Sequence, residues 1–192
     1  MSMVRIAKSA GFCFGVSRAV ELVEQEAAAG KKVATLGPII HNRHVVDKFE
    51  AMGVRVIETP EEARPDETVI IRSHGVTRNV VERLEKTGAE IIDATCPFVK
   101  RIHSIVSREE EKGRLPVIIG TPTHPEVEGI AGWCSDCRIF ASREDLAEWV
   151  SSLENPANSS ICIVSQTTST ESLWKSCVNF AKKEFTNFLR TV

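Results

Sequence analysis

Short apolar runs alternate with amphipathic segments along nearly the whole chain. The runs KVATLG, ETVIIRS and LPVIIG, at residues 32–37, 67–73 and 115–120, are typical of buried strands. Between such runs, as at residues 16–30, apolar residues recur every three or four positions, which is helical spacing. Strands that alternate with helices predict a parallel sheet and therefore an α/β fold.

The same pattern gives the order of the elements. Strands are predicted at residues 4–7, 32–37, 54–58, 67–73, 89–94, 115–120, 137–141 and 161–166. Helices are predicted at residues 16–30, 43–53, 76–88, 97–113, 125–133, 143–153 and 170–185. Ser142 is expected to cap the helix that follows it, and residues 155–160 are expected to form a turn.

The chain contains an internal repeat. LGPIIHNRHVV at residues 36–46 and IGTPTHPEVEGI at residues 119–130 both run from an apolar segment into Gly, a loop, a His and a helical pattern. General α/β periodicity explains a matching order of strands, but it does not easily explain matching Cys, His and Gly positions. Each His lies 28 residues after a Cys, and the pairs are Cys13 with His41 and Cys96 with His124.

We therefore predict two repeated parallel-sheet units, residues 1–96 and residues 97–192. The first continues to IIRSHGV, which contains His74, and the second continues to CIVSQTT, which contains Gln166 and Thr167. The second unit ends at NFLRTV, where a further strand and a third Cys would fall. A third unit is expected to begin there and is absent from this chain, and by the repeat spacing a Cys is expected within about ten residues of the end.

Composition narrows the class of protein. The 192 residues are 42% hydrophobic and carry a net charge of -2, with no long apolar span and no Lys/Arg block. These features argue against a membrane or nucleic-acid partner. The N-terminus lacks the apolar run of a signal peptide, so the six cysteines are expected to be reduced thiols in a cytoplasmic protein.

Two cysteines are candidate metal ligands. Pro97 suits the first position of a helix, which makes Cys96 its N-cap, and Cys13 also precedes a predicted helix. A helix N-terminus lowers the pKa of a thiol in general and favours the thiolate, the form that binds metal. Their equivalent places in the repeat favour ligands over buried packing residues.

Three histidines and two other residues follow predicted strands. Sites in parallel α/β sheets lie outside the carboxyl ends of the strands, so one anionic ligand shared by several of these residues is expected. Glu126, two residues after a His, is a candidate proton donor, although the first turn of a helix also favours a structural Glu. The candidates are His41, His74, His124, Glu126 and Thr167.

The remaining His and Cys residues are assigned structural roles. His44 and His103 fall inside predicted helices, and Cys162 and Cys177 are predicted to be core residues. The segment CSDC forms a lone C-x-x-C, which suggests zinc or thiol redox chemistry, but no second Cys or His pair follows it. Incidental thiols are therefore favoured for Cys134 and Cys137.

Taken together, these residues resemble the 4-hydroxy-3-methylbut-2-enyl diphosphate reductase (LytB) family of the non-mevalonate isoprenoid pathway. The matching stretches occur in the order of the family and span nearly the whole chain: GFCFGV, HNRHVVD, SHGV, DATCPFV, THPEVEG and SQTT. The resemblance implies three α/β domains in a pseudo-threefold arrangement around a [4Fe-4S] cluster, to which each domain supplies one Cys.

The resemblance also implies the roles of individual residues. Cys13 and Cys96 correspond to two of the three cluster ligands. Glu126 corresponds to the proton source and Thr167 to a residue near the hydroxyl that leaves. The three residues that correspond to diphosphate ligands are His41, His74 and His124.

The implied reaction is reductive dehydroxylation, which gives isopentenyl and dimethylallyl diphosphate, with electrons from a donor such as ferredoxin or flavodoxin. The chain departs from the family because the third Cys and the Ser and Asn residues of the third domain are missing, so the 192-residue piece alone is expected to be nearly inactive. Two alternatives stay open: a metal-dependent hydrolase acting on a phosphorylated small molecule, and a diphosphate-binding scaffold without redox chemistry.

Overall fold

The computed structural model describes residues 5, 7, 10–40 and 42–190. Within this part of the chain, eight strands form two separate four-stranded parallel sheets, and helices connect the strands. The predicted α/β class with two repeated sheets is confirmed. The strand predicted at residues 4–7 falls largely outside the described residues, and so does the candidate site residue His41.

The elements match the predicted order. The first half contains α1 (Phe14–Ala28), β1 (Val33–Leu36), α2 (Arg43–Ala51), β2 (Arg55–Ile57), β3 (Thr68–Ile71), α3 (Arg78–Glu85) and β4 (Glu90–Asp93). The second half contains α4 (Pro97–Glu111), β5 (Leu115–Ile119), α5 (Pro125–Ala131), β6 (Arg138–Phe140), α6 (Arg143–Ser151), β7 (Ser160–Ser165), α7 (Glu171–Glu184) and β8 (Asn187–Arg190).

The two sheets have the same strand order and the same register. The first runs β2, β1, β3, β4 and the second runs β6, β5, β7, β8. Leu36 at the end of β1 is level with Ile71 in β3, and Ile119 at the end of β5 is level with Ser165 in β7. The repeat seen in the sequence is therefore a repeat of the backbone as well.

The strand register refines one detail of that repeat. Because Ile71 and Ser165 are counterparts, His74 corresponds to Thr168. The sequence alone pairs His74 with the two residues before Thr168. The two pairings differ because an apolar run does not fix where a strand ends, whereas the hydrogen-bonded ladder does.

Both faces of each sheet are buried. Along β3, Ile70 packs in the core that α1 and α2 cover, whereas its neighbours Val69 and Ile71 pack on the opposite face against α3. Along β5, Val117 and Ile119 pack against α6 and α7, and Ile118 packs against α4 and α5. This burial explains why the strands read as continuous apolar runs and not as alternating patterns.

Helix α4 packs on the second sheet. Its residues Ile102, Ile105 and Val106 share a core with Ile118 of β5 and Val164 of β7. This packing supports a division of the chain after Cys96, as the sequence suggests, and the exact boundary stays a proposal.

The end of α5 joins the second unit to the first. The Trp133 indole donates a hydrogen bond from Nε1 to the Val76 carbonyl oxygen at 2.9 Å. The Arg78 backbone N–H donates to the Gly132 carbonyl oxygen at 3.3 Å. A Cβ added to Gly132 would lie 2.3 Å from the Thr77 Cβ, so only glycine allows this approach.

The predicted helix starts are confirmed. Cys13 and Cys96 are the N-caps of α1 and α4, and the Ser142 hydroxyl caps α6 by accepting from the Asp145 N–H at 3.0 Å. Strand β8, with the sequence NFLR, forms where the repeat predicts a further strand. No helix in the described residues is both long enough and apolar enough to cross a lipid bilayer.

Candidate functional site

The candidate residues lie in the loops after the parallel strands. His74 follows β3, Cys96 follows β4, His124 follows β5 and Thr167 follows β7. Carboxyl ends of parallel strands share one edge of a sheet, so each sheet presents its candidates at that edge. Which of them meet depends on how these loops and the neighbouring helices contact each other.

The helix that begins at Cys13 lies directly against Cys96. A Cβ built on Gly15, two residues after Cys13, would be 2.7 Å from the Cys96 Sγ and 3.0 Å from its Cβ. Real Cβ atoms do not approach other atoms so closely, and Gly15 is therefore needed for the contact. Cys13 is exposed and Cys96 is half-buried, and neither side chain makes a capping hydrogen bond.

Backbone contacts hold this junction. Arg18 on α1 reaches the segment just before Cys96, with guanidinium nitrogens 3.4 Å from the carbonyl oxygens of Asp93 and Thr95. The Cys96 N–H donates to the Ser73 carbonyl oxygen at 2.9 Å. The two cysteines thus stand at the starts of two helices, α1 and α4.

Two of the predicted histidines contact each other. The ring centroids of His74 and His124 are 5.7 Å apart, with the rings nearly perpendicular at 79°. Gly129, on α5, packs beside the same turn, since its ideal Cβ position is 3.5 Å from the His74 carbonyl oxygen. The fold therefore brings one His from each unit to a common place.

The backbone fixes the tautomer of His124. Its Nδ1 accepts a hydrogen bond from the Glu126 N–H at 3.1 Å, which makes the imidazole the N-cap of α5. A nitrogen that accepts carries no proton, so the proton of the neutral ring is on Nε2. Nε2–H is then a donor for an anionic ligand.

Glu126 and Thr167 form the most tightly connected pair of the site. The Glu126 carboxylate is 2% exposed and accepts from the Thr167 N–H at 2.6 Å and from the Thr167 hydroxyl at 2.8 Å. This pair ties the first turn of α5 to the loop after β7. The predicted catalytic pair is thus in contact in the folded chain.

Gln166 is a site residue that the sequence analysis noted only as part of the repeat. Its side-chain oxygen accepts from the Thr121 N–H at 3.2 Å, and its side-chain nitrogen donates to the Thr168 hydroxyl at 2.6 Å. Gly120 leaves the space for it, since a Cβ there would be 2.9 Å from the Gln166 Cβ. Gln166 therefore fixes the loop that carries Thr167.

A cavity of about 460 Å³ opens beside this loop on the surface of the second unit. It is lined by α4, the loop after β7 and the start of α7, and includes Phe98, Arg101, Gln166, Thr167 and Trp174. A pocket of this size accommodates a small organic molecule. Sequence patterns did not single out Phe98 or Arg101.

The loop before His41 contacts the His74 turn. The Ser73 hydroxyl donates to the Ile39 carbonyl oxygen at 3.4 Å, and Ile39 and Ile40 are both buried. Asn42 caps α2 by accepting from the Val45 N–H at 3.3 Å. His41 itself lies outside the described residues.

Cys134 and Cys137 form a hydrogen-bonded thiol pair in the loop between α5 and β6. Donation from Cys134 lowers the pKa of the Cys137 thiol, and the same interaction raises the pKa of Cys134. The Glu110 carboxylate holds the intervening loop by accepting from the N–H groups of Ser135 and Asp136 at 2.7 and 2.9 Å.

Cys162 and Cys177 are fully buried core residues, as the sequence suggests. Burial also raises the pKa of the Cys177 thiol. His103, on α4, is 4% exposed and stacks on Trp133, and burial lowers its pKa to about 4.

The described residues do not form a complete metal site by themselves. Among residues 10–40 and 42–190, no three His, Cys, Asp or Glu side chains form a group that holds a metal ion by itself. Cys96 and the helix of Cys13 are nevertheless in contact, and both thiols lack a capping partner. The thiols of Cys13 and Cys96 are therefore suited to be two of the ligands of a metal centre that needs further ligands.

These features define an α/β repeat protein of two parallel-sheet units, in which His74 of the first unit contacts His124 of the second. A family model described as LytB protein matches residues 4–191, and the chain belongs to that family. It is 43% identical over 185 residues to the 4-hydroxy-3-methylbut-2-enyl diphosphate reductase of Caldanaerobacter subterraneus subsp. tengcongensis, covering 94% of this chain and 62% of the relative. A reductase of the same name from Clostridioides difficile is 39% identical over 177 residues, covering 92% and 62%.

Solved structures agree with this assignment. The E-1-hydroxy-2-methyl-but-2-enyl-4-diphosphate reductase from Plasmodium falciparum matches with a TM-score of 0.85 and 29% identity, over 96% of this chain and 57% of that structure. A second structure, (E)-4-hydroxy-3-methyl-but-2-enyl diphosphate reductase, matches with a TM-score of 0.81 and 38% identity, over 98% and 66%. The chain thus spans a little under two thirds of the relatives it matches, and the alternative of a hydrolase is not supported.

Proposed function

We propose that this chain forms the first two units of a 4-hydroxy-3-methylbut-2-enyl diphosphate reductase. The family match and the names of the relatives support this activity. The single structural observation that carries it is the contact between Gly15 and Cys96, because it draws two repeat-equivalent cysteines to one junction. The division into residues 1–96 and 97–192 is part of the proposal.

Cys13 and Cys96 would hold a [4Fe-4S] cluster together with a third Cys from outside the chain. Thiolates at two adjacent helix N-termini are suitable cluster ligands. The cluster, when bound, supplies electrons and a Lewis-acidic iron for loss of the substrate hydroxyl.

The histidines would bind the substrate diphosphate. His124 offers Nε2–H as a donor, and the His74 ring lies 5.7 Å away from the His124 ring. His41 is assigned to the same group by its place in the repeat. Neutral and charged imidazoles both donate to phosphate oxygens, so a cluster of histidines suits this ligand.

Glu126 would deliver a proton, with Thr167 as its partner. The Glu126 carboxylate is buried and hydrogen-bonded to the Thr167 hydroxyl, so a proton on Glu126 can pass to a substrate oxygen through that hydroxyl. The Thr167 N–H holds the other carboxylate oxygen and fixes the direction of transfer. An external one-electron donor such as ferredoxin or flavodoxin would supply the electrons, and the free thiols suit the reducing cytoplasm.

The test is to measure iron, acid-labile sulfide and turnover in an extended protein. The chain is joined after Arg190 to the C-terminal segment of the Caldanaerobacter relative, and this extended protein is called the chimaera below. We expect about four irons and four sulfides per chimaera. Cys13→Ser and Cys96→Ser should each lower both contents, whereas the matched Cys134→Ser and Cys137→Ser variants should leave them unchanged.

Two results would contradict the proposal. The first is zinc without sulfide in the chimaera, which indicates a different metal chemistry. The second is diphosphate binding with neither iron nor turnover after anaerobic reconstitution, which indicates a scaffold.

A further inference from the structure

The loop between α5 and β6 contains a pair of thiols that the proposed function does not use. Cys134 and Cys137 are hydrogen-bonded to each other, so their sulfur atoms are in contact. Both side chains are half-buried and pack against the core that includes Ile118 and Val164. The sequence alone favours incidental thiols, because no second ligand pair follows the C-x-x-C. The contact between the sulfur atoms is an observation that spacing cannot give.

Hydrogen bonds hold the two residues between the thiols. The Glu110 carboxylate, near the end of α4, accepts from the Ser135 N–H at 2.7 Å, from the Ser135 hydroxyl at 2.8 Å and from the Asp136 N–H at 2.9 Å. Asp136 is itself paired with Arg138. The backbone between the cysteines is therefore fixed, and less conformational entropy is lost when a bond forms between the two sulfur atoms.

The two thiols differ in acidity. The hydrogen bond from Cys134 lowers the pKa of the Cys137 thiol, and the Arg138 guanidinium acts in the same direction, whereas burial and the Asp136 charge oppose it. The same hydrogen bond, together with burial, raises the pKa of Cys134. The Cys134 sulfur also lies 3.4 Å from the Ala131 carbonyl oxygen, a second acceptor for its proton. Cys137 is thus the thiol suited to attack as a thiolate, and Cys134 is the one that stays protonated.

The groups around the thiol pair do not make a metal site. In the part of the chain that the structure describes, no third His, Cys, Asp or Glu joins the two thiols in a group suited to hold a metal ion. Two nearby carboxylates are already engaged, Glu110 by the loop and Asp136 by Arg138. A structural zinc site takes four ligands. Two thiols in contact without further ligands are instead placed to form a disulfide.

We propose that Cys134 and Cys137 form a thiol–disulfide exchange site that reacts with small-molecule disulfides. The Cys137 thiolate attacks one sulfur of the small disulfide, whose S–S bond breaks, so a mixed disulfide forms on Cys137 and one small thiolate leaves. The Cys134 thiol then loses its proton and attacks the Cys137 sulfur, which forms the Cys134–Cys137 disulfide and releases the second small thiolate. The two protein thiols lose two electrons and two protons, and the small disulfide is reduced to two thiols.

The exchange site is separate from the candidate cluster ligands. Glu110, which holds the loop, lies in the last turn of α4, whereas Cys96 is the N-cap of the same helix. At a rise of about 1.5 Å per residue, these two ends of the helix are about 20 Å apart. The exchange site therefore goes beyond the proposed function, and its test requires no cluster.

The test is to oxidise the reduced 192-residue chain with glutathione disulfide, block the remaining free thiols, digest with trypsin and measure peptide masses. Residues 115–138 form one tryptic peptide, which contains Cys134 and Cys137 and no other Cys. We expect this peptide to lose the mass of two hydrogen atoms, to escape the blocking reagent and to regain both thiols with dithiothreitol. The buried Cys162 and Cys177 should remain free thiols in the same sample, which reports that the chain stays folded.

Serine variants separate the roles of the two thiols. Cys134→Ser removes the thiol that resolves the mixed disulfide, so glutathione should accumulate on Cys137. Cys137→Ser removes the attacking thiolate, so Cys134 should react with glutathione disulfide at least about tenfold more slowly than Cys137 does in the Cys134→Ser chain. The two variants are matched, because the Glu110 contacts involve only the residues between the thiols.

Three outcomes would overturn the exchange site. The first is a wild-type peptide that keeps both free thiols, or carries two separate glutathione groups, while the buried thiols stay free. The second is equal reactivity of the two serine variants, which means that the thiols do not differ in the way that exchange requires. The third is one zinc ion bound per chain and lost in both variants, which assigns the pair to a metal site. None of these outcomes bears on the cluster ligands, so the proposed function is decided separately by the iron and sulfide contents of the chimaera.

Discussion

The Glu126 carboxylate binds both the backbone N–H and the hydroxyl of Thr167, a residue 41 positions away. The distances are 2.6 and 2.8 Å, and the Glu126 side chain is almost completely buried. Hydrogen bonds to an ionised acceptor are stronger than those between neutral groups. This pair therefore locks the loop after β7 to the start of α5, in addition to any part it has in catalysis.

A double-mutant cycle can measure the coupling energy between Glu126 and Thr167. Thr167→Val keeps the shape of the side chain but removes the hydroxyl, and we expect the 192-residue chain to lose about 1 to 3 kcal/mol of unfolding free energy. Thr167→Ser keeps the hydroxyl, so its loss of unfolding free energy should be well under half of the loss caused by Thr167→Val. In chemical denaturation, combining Thr167→Val with Glu126→Gln should give less than the sum of the single losses. Additive losses would show that the two side chains are not coupled.

Two glycines that face other residues should respond oppositely to alanine. Gly15→Ala brings a Cβ to 2.7 Å from the Cys96 Sγ, so overpacking should cost about 1 to 3 kcal/mol in thermal unfolding. Gly129→Ala, in helix α5, brings a Cβ to 3.5 Å from the His74 carbonyl oxygen, which is an ordinary van der Waals contact. That variant should be neutral or more stable, because alanine favours helix. Equal destabilisation by both would argue against the close contact at Gly15.

The protonation of His103 should make the free energy of unfolding decrease as pH is lowered from about 6.5 to about 4. Burial lowers the pKa of His103 to about 4 in the folded chain, from about 6.5 when it is exposed. Below pH 6.5 the unfolded chain binds a proton that the folded chain does not, so stability is full above pH 6.5 and declines as pH falls to about 4. The loss is at most about 3 kcal/mol.

His103→Gln removes the titrating group. The free energy of unfolding, measured with denaturant, should then depend much less on pH between about 6.5 and 4.5. Glu109 acts at lower pH, because hydrogen bonds from Lys112, Arg108 and Arg114 lower its pKa to about 2. Its contribution is lost only as pH falls from about 4.5 towards 2. A His103→Gln chain with an unchanged slope above pH 4.5 would show that another group titrates there.

The Trp133 indole should contribute to the contact between the two units. Trp133→Phe keeps a ring against His103 but removes the hydrogen bond to the Val76 carbonyl oxygen, and we expect a loss of about 1 kcal/mol. Trp133→Ala also removes the stacking and should lose about 3 kcal/mol or more. Urea unfolding measures both, and a Trp133→Phe chain as stable as the wild type would mean that water replaces the indole donor.

Local sequence determined much of the architecture. Apolar runs and helical spacing gave the order of strands and helices, and the Cys96–Pro97 and Ser142 caps fixed helix starts, because these signals act over a few residues. The matched Cys-to-His spacing revealed the repeat before any contact was known. The repeat also predicted a further strand at NFLRTV, where β8 forms, although four residues of mixed polarity carry little periodicity of their own.

The contacts that make the site were decided by tertiary structure. The contact of His74 with His124 depends on how the two units pack. The contacts of Gly15 with Cys96 and of Glu126 with Thr167 depend on how helices and loops pack within one unit, and each joins residues far apart in the chain. No local pattern encodes such distances, since each arises from the combined burial of the cores.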